Sequence, residues 1–231
     1  MSDQLLFSIF PYVAVIVSVV VTIVRYRYQK FKFSSLSSQF LEGKNLFWGS
    51  VPWHIGILVV LLGHFVAFLI PQQILAFNSV PARLVLLEVT GLAMALLALV
   101  GLVLLIYRRL NNKRIKAVTT TSDYVVLVVL LVQVISGIMI AVGYRWGSNW
   151  YAASMVPYLR SLFLLKPNIG FIASMPWIVK IHILNAFVFI MLIPFTRFVH
   201  FLVVPFQYVN RPWQIVRWNW DPSKSRKLKG E

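Results

Sequence analysis

The sequence predicts an all-α integral membrane protein, a bundle of five transmembrane helices, and three observations carry that prediction. The first is composition: 59% of the 231 residues are apolar and the mean hydropathy is +0.79, too hydrophobic for the chain to close over a single water-soluble core. The second is five apolar segments, residues 5–24, 51–70, 84–107, 124–142 and 176–206, each near or above the ~20 residues that cross a bilayer. Lipid leaves an open chain only the helix as a way to satisfy its backbone. The third is a formal charge of +16 that gathers between particular segments.

The first segment follows Met1-Ser-Asp-Gln, which supplies no basic leader region, and is followed by Arg25 and Arg27 in place of a small-residue cleavage site. It therefore reads as a retained helix, and no signal peptide is expected. The second segment contains His54 and His64, and the third follows Arg83 and holds Glu88, nearly alone as an intramembrane acid. The fifth carries His182 and His200, with Pro194 between them as a source of a kink. Trp53, Trp177, Trp213, Trp218 and Trp220 stand near segment ends, as an interfacial aromatic belt requires. Phe187, Phe189, Phe195 and Phe198 read as packing or lipid-facing residues. No internal repeat or low-complexity domain is visible, and the chain reads as one membrane domain over 1–231 with a basic cytoplasmic tail at 207–231.

Charge orients the bundle. Arg25, Arg27, Lys30, Lys32 and Lys44 follow the first segment, Arg108, Arg109, Lys113, Arg114 and Lys116 the third, and Arg211, Arg217, Lys224, Arg226, Lys227 and Lys229 the fifth. The other two loops carry only Arg83, then Arg145, Arg160 and Lys166. The positive-inside rule puts the N-terminus outside and the C-terminus in the cytoplasm. Anionic lipid or a cytoplasmic subunit is the expected counter-charge, and with no soluble reading domain in view no nucleic acid is expected as partner.

The four histidines are the chain's only ones, and all lie within two apolar segments. An ionisable side chain at membrane depth is costly and needs a partner, so their confinement points to a shared ligand. Haem held by imidazoles across a helix pair fits that pattern. A proton relay, a transported metal and an interhelical hydrogen bond remain as alternatives. With no cysteine, thiolate ligation, iron–sulfur ligation and covalent haem attachment by this chain are excluded, and any haem is b-type.

Because the second and fifth segments run antiparallel, His54 shares a depth with His200 and His64 with His182. A ten-residue step rises about 15 Å and an eighteen-residue step about 27 Å at helical pitch, so tilt, a kink or offset haem planes must absorb the difference. Eighteen residues make five turns, which places His182 and His200 on one face of a continuous helix. Gly56 and Gly63 flank the second-segment histidines, where a missing side chain admits either a macrocycle or a neighbouring helix. Arg197, three residues before His200, either neutralises a haem propionate or snorkels to the interface.

Three runs extend the pattern: W-H-I-G-I-L-V-V-L-L-G-H-F at 53–65, R-I-K-A-V-T-T-T-S-D at 114–123, and I-P-F-T-R-F-V-H-F-L-V-V-P-F-Q-Y-V at 193–209. With F-P-Y at 10–12 and R-Y-R-Y at 25–28, the chain resembles, almost end to end, the gamma subunit of membrane-bound respiratory nitrate reductase, a dihaem cytochrome b. The resemblance implies a quinol-oxidising subunit in the inner (cytoplasmic) membrane of a prokaryotic cell. It implies two haem b groups, the proximal held by His54 and His200 and the distal by His64 and His182. It also implies partners, an iron–sulfur beta subunit and a molybdenum-containing alpha subunit, and no nitrate-reducing site on this chain.

Two stretches depart from the family. Its members commonly have a lysine near the start of the third helix, at the quinol site, where this chain reads P-A-R-L-V-L-L-E. Arg83 and Glu88 are therefore the quinol-site candidates. The loop at 143–175 matches poorly and carries Arg160 and Lys166, so it is expected to affect access to the outer haem or to meet a further partner. A dihaem subunit of another quinone-linked oxidoreductase, for example in sulfur metabolism, and a non-haem transporter or anchor are the competing readings.

Overall fold

The computed structural model describes residues 2–28 and 41–202, and every regular element among them is helical. Five helices are long and apolar enough to cross a membrane: α1 (Leu5–Tyr28), α2 (Lys44–Leu69), α3 (Pro81–Asn111), α4 (Thr121–Gly143) and α5 (Trp177–Phe195). The predicted fold class holds. The helices outrun the apolar segments at most ends because a helix continues past the hydrocarbon until a residue stops it.

Local chemistry sets those stops. Pro81 opens α3, where a missing N–H costs nothing. Past its end, Asn112 accepts from the backbone N–H groups of Arg114 and Ile115 and starts a short helix, Lys113–Ala117. At the start of α4 the Asp123 carboxylate accepts from the Thr120 N–H at 2.9 Å, closing the first turn. Pro52 lies inside α2 and removes one rung of its hydrogen-bond ladder.

In space the order is α1, α5, α4, α3, α2, each packed on the next, and α2 and α5 are not among the closely packed pairs. The α2–α3 contact is tight because both helices offer glycine there. A Cβ on Gly101 would fall 2.3 Å from the Trp53 nitrogen and 2.7 Å from the Gly49 carbonyl oxygen. One on Gly56 would fall 2.4 Å from the Met94 carbonyl oxygen. Backbones meet there as in small-residue membrane interfaces. Trp53 is buried in this seam with Ala98, Leu102, Leu130 and Val134, so it is a packing residue and not part of an interfacial belt. Phe189 and Phe198 pack against the same cluster. Trp177 is 64% exposed and suits the belt; Trp213, Trp218 and Trp220, with the tail at 207–231, lie outside the described residues.

The bundle has two distinct ends. At one, Arg25 donates to the Pro194 carbonyl, Arg108 pairs with Glu42 at 2.6 Å, and Arg109 and Arg197 both pair with Asp123. The ends of α1, α3 and α5 and the starts of α2 and α4 are thereby tied together as the basic end. At the other, residues 147–173 fold into short helices that cap the bundle. Tyr158 is fully buried and donates to the Phe7 carbonyl, Tyr12 donates to the Leu162 carbonyl, and Lys180 pairs with Asp3. The loop that reads poorly in sequence is thus a structured cap, whose Met155, Tyr158, Leu162 and Ile172 share one apolar core with Phe7, Ile140, Ile178 and Val179 of the bundle.

The fifth segment is not one continuous helix. Regular α-helix stops at Leu192, a 3₁₀ turn covers Ile193–Phe195, and Thr196 is extended, with φ −121° and ψ 177°, before a second 3₁₀ turn, Arg197–Phe201. Pro194 and the break at Thr196 end the five-turn alignment of His182 with His200.

Candidate functional site

Contacts at the two ends fix the depth of each histidine. His64 and His182 each lie five residues from the capped ends of their helices, at Leu69 and Trp177. The helices that carry them, α2 and α5, are not among the closely packed pairs. His54 lies nearer the start of α2, and His200 follows the end of α5, so both belong to the basic half.

Each ring is oriented through the same atom. His54 Nδ1 lies 2.7 Å from the Ser50 carbonyl oxygen, His64 Nδ1 2.8 Å from the Val60 carbonyl oxygen, and His200 Nδ1 2.9 Å from the Arg197 carbonyl oxygen. A carbonyl only accepts, so Nδ1 carries the proton and Nε2 the lone pair. These three side chains are exposed, turning Nε2 away from the protein backbone.

His182 reaches the same tautomer by another route. Its Nδ1 lies 2.9 Å from Ser136 Oγ, and that hydroxyl donates to the Gln133 carbonyl at 3.1 Å, which leaves its lone pair to accept. Asn185 Nδ2 donates to Gln133 Oε1 at 2.7 Å and to the Val129 carbonyl. Gln133 must then present its NH₂, which lies 3.1 Å from His182 Nε2. Gln133 would have to turn aside before Nε2 could meet a metal.

Sequence reading missed this α4–α5 network of Gln133, Ser136 and Asn185, though polar residues inside apolar segments are a legible signal. It also missed Gly137, where a Cβ would stand 3.1 Å from His182 Cε1. Tyr151 of the cap was missed too: its ring sits edge-on to His64 with centroids 5.1 Å apart, and its hydroxyl donates to the His64 carbonyl. Burial pushes that phenol up to about 12.

The remaining candidates are placed as follows. Gly56 serves helix packing, whereas a Cβ on Gly63 would meet nothing within 4 Å. Arg197 is engaged by Asp123 at 3.1 Å and donates to the Val118 carbonyl at 2.7 Å. Glu88 accepts from the Ser148 backbone N–H at 2.8 Å and its hydroxyl at 2.6 Å, anchoring the cap. Arg83 lies over the Phe77 ring, 5.5 Å from its centroid, so it and Glu88 have separate partners. Among the described residues no group of three or more His, Cys, Asp or Glu side chains is placed to chelate a metal. A pair of imidazoles on opposite faces of a macrocycle needs no such group.

These features can be set beside known proteins. The nitrate reductase gamma subunit family matches residues 3–219. The nitrate reductase gamma chain of Bacillus subtilis (strain 168) is 33% identical over 220 residues, covering 94% of this chain and 99% of that one. The respiratory nitrate reductase 2 gamma chain of Escherichia coli (strain K12) is 31% identical over 216 residues, covering 91% and 95%. The nitrate reductase-like protein NarX of Mycobacterium tuberculosis (strain ATCC 25618 / H37Rv) is 33% identical over 222 residues, 94% of this chain and 34% of that longer one.

Proposed function

The chain belongs to the nitrate reductase gamma subunit family, and from that premise we propose that it is the dihaem cytochrome b subunit that oxidises quinol and passes the electrons on. It is a multi-pass membrane subunit of a nitrate reductase complex. On this reading His64 and His182 hold the distal haem b, at the capped end, and His54 and His200 the proximal one, at the basic end. Haem held by these four side chains would supply one-electron relay and would favour electron transfer over oxygen binding.

The chain's own residues do the remaining work. The acceptors at Nδ1 fix each ring plane and make Nε2 the ligating atom. The cap closes over the His64 end through Tyr151 and Glu88. Quinol oxidation is assigned to that end, with Arg83 and Glu88 as the ionisable candidates beside it. The quinol releases its electron pair and both protons there, and the electrons leave at the basic end. The basic end is assigned to the cytoplasm, against an iron–sulfur beta subunit that feeds a molybdenum-containing alpha subunit, in the inner membrane of a prokaryotic cell. Protons released outside and electrons moved inward would charge the membrane.

The observation that carries this reading is the orientation of the rings: Nδ1 of His54, His64 and His200 rests on a backbone carbonyl, which leaves Nε2 for a ligand, while His182 Nε2 meets the Gln133 amide and is freed for a ligand when that amide turns aside. The test is haem content of the protein purified in detergent after expression with haem supplied. The expected result is two acid-acetone-extractable low-spin b haems per chain, reducible by a quinol analogue. A stoichiometry clearly below one, or haem that stays attached on extraction, overturns it.

A further inference from the structure

Three of the histidines rest Nδ1 on a carbonyl of their own chain segment, at Ser50, Val60 and Arg197, where local backbone geometry makes the contact. His182 differs. Its Nδ1 reaches across to another helix and meets the Ser136 hydroxyl at 2.9 Å, with the Gln133 amide nitrogen farther off at 3.4 Å. Directly after Ser136, Gly137 leaves just the space the ring occupies: an added Cβ would come within 3.1 Å of Cε1. Ser136 is 2% exposed, so its hydroxyl has no bulk water to turn to.

We propose that Ser136 and Gly137 of α4 form a seat that sets the ring plane and the electron-donating strength of His182. This positioning role rests on the dihaem reading above. An acceptor at Nδ1 draws the N–H proton and makes the ligating Nε2 more basic, which favours the oxidised iron. A hydroxyl that is itself donating, as Ser136 does to the Gln133 carbonyl, has its oxygen polarised as an acceptor. The seat is therefore a point at which a side chain, and not local backbone, adjusts one of the two irons. Gln133 lies outside the seat: its amide, held by Asn185, stands 3.1 Å from His182 Nε2 and has to swing away for ligation, whereas its backbone carbonyl stays to accept from Ser136.

His54 supplies the internal control. It also has a serine hydroxyl near Nδ1, Ser50 Oγ at 3.1 Å, but the Ser50 carbonyl lies closer, at 2.7 Å, and survives loss of the side chain.

The test is an optical redox titration of the purified holoprotein with electron paramagnetic resonance of each low-spin haem. S136A should raise the midpoint potential of the haem that is lost on replacing His182, leave the other unchanged, and be restored toward the wild-type value by S136T. S50A should move neither potential. G137A should alter the low-spin resonance of that same haem alone, and selective loss of that haem in either variant is also a positive result. Unchanged potentials in S136A, equal shifts in S136A and S50A, or a joint change at both haems overturn the seat. A wild-type protein with no haem overturns the dihaem reading itself, and is told apart from those outcomes before any variant is made.

Discussion

Arg197 and Asp123 are joined at 3.1 Å between Nε and Oδ1, and the Asp123 side chain is only 5% exposed. The same carboxylate receives Arg109 at 3.1 Å and caps the first turn of α4 through Thr120. Arg197 in turn offers its carbonyl to His200 Nδ1. A buried acid on α4 thus fixes the turn that orients a histidine beyond the break in α5.

Replacing Asp123 with asparagine should therefore act on one end of the bundle. Loss of the charge opposite two arginines, both partly exposed, should cost about 1–3 kcal/mol, below the cost of breaking a fully buried pair. Thermal unfolding in detergent measures that term. Haem content should fall at the basic-end site while the capped-end haem remains; equal loss of both haems would show that Asp123 supports the fold without orienting His200.

How much of this was legible in sequence follows from what each feature depends on. Hydropathy over ~20 residues is a property of the segment itself, so the five spans could be read directly. The depth pairing of histidines needs only alternating helix direction, which is why it could be put forward from sequence. Pro194 marked the place of a kink in the fifth segment, but the extended Thr196 and the second turn beyond it depend on how Pro194 and Arg197 are satisfied by Arg25, Asp123 and Val118, partners far off in sequence. Gly56 and Gly63 look alike in sequence; only the position of Met94 on α3 separates a packing glycine from an open one. The cap at 147–173 lacks periodicity long enough to register, yet it sets the surroundings of His64.

The glycines of the α2–α3 seam should tolerate nothing larger. Gly101→Ala and Gly56→Ala each put a methyl against backbone atoms that cannot rotate away, at 2.3 and 2.4 Å, and overpacking of this kind costs about 1–3 kcal/mol. Gly63→Ala meets no atom within 4 Å and should leave haem-free stability unchanged. Unfolding curves of the three variants check this ordering, and equal destabilisation by Gly63→Ala would contradict it.

Acid should release the tie between Glu42 and Arg108. The Arg108 guanidinium, and then the Asn45 N–H, hold the Glu42 carboxyl below its ordinary value of 4.5. A carboxyl lowered by folding adds stability above its unfolded value, and that stability is lost as pH falls through the folded one. The melting temperature of wild type should exceed that of Glu42→Gln at neutral pH, with the gap closing as pH drops below 4.5. A gap that stays constant through that window would assign the difference to packing.

The histidines should fail in pairs set by depth. His64 and His182 each lie five residues from the capped ends of their helices, at Leu69 and Trp177, and Tyr151 of the cap lies against the first of them. His54 and His200 belong to the basic half, where Asp123 and the arginines gather. Replacing either His64 or His182 by a residue that cannot ligate leaves one imidazole on that iron, so the same capped-end haem should be lost or become high-spin while the other stays low-spin. Replacing His54 or His200 should do the same at the basic end and block electron delivery to the partner subunit, even where quinol still reduces the remaining haem. Haem-resolved optical and paramagnetic resonance spectra of the four variants decide the matter. If His54 and His182 lost one haem together and His64 and His200 the other, the pairing by depth would fail, and with it the assignment of quinol oxidation to the capped end.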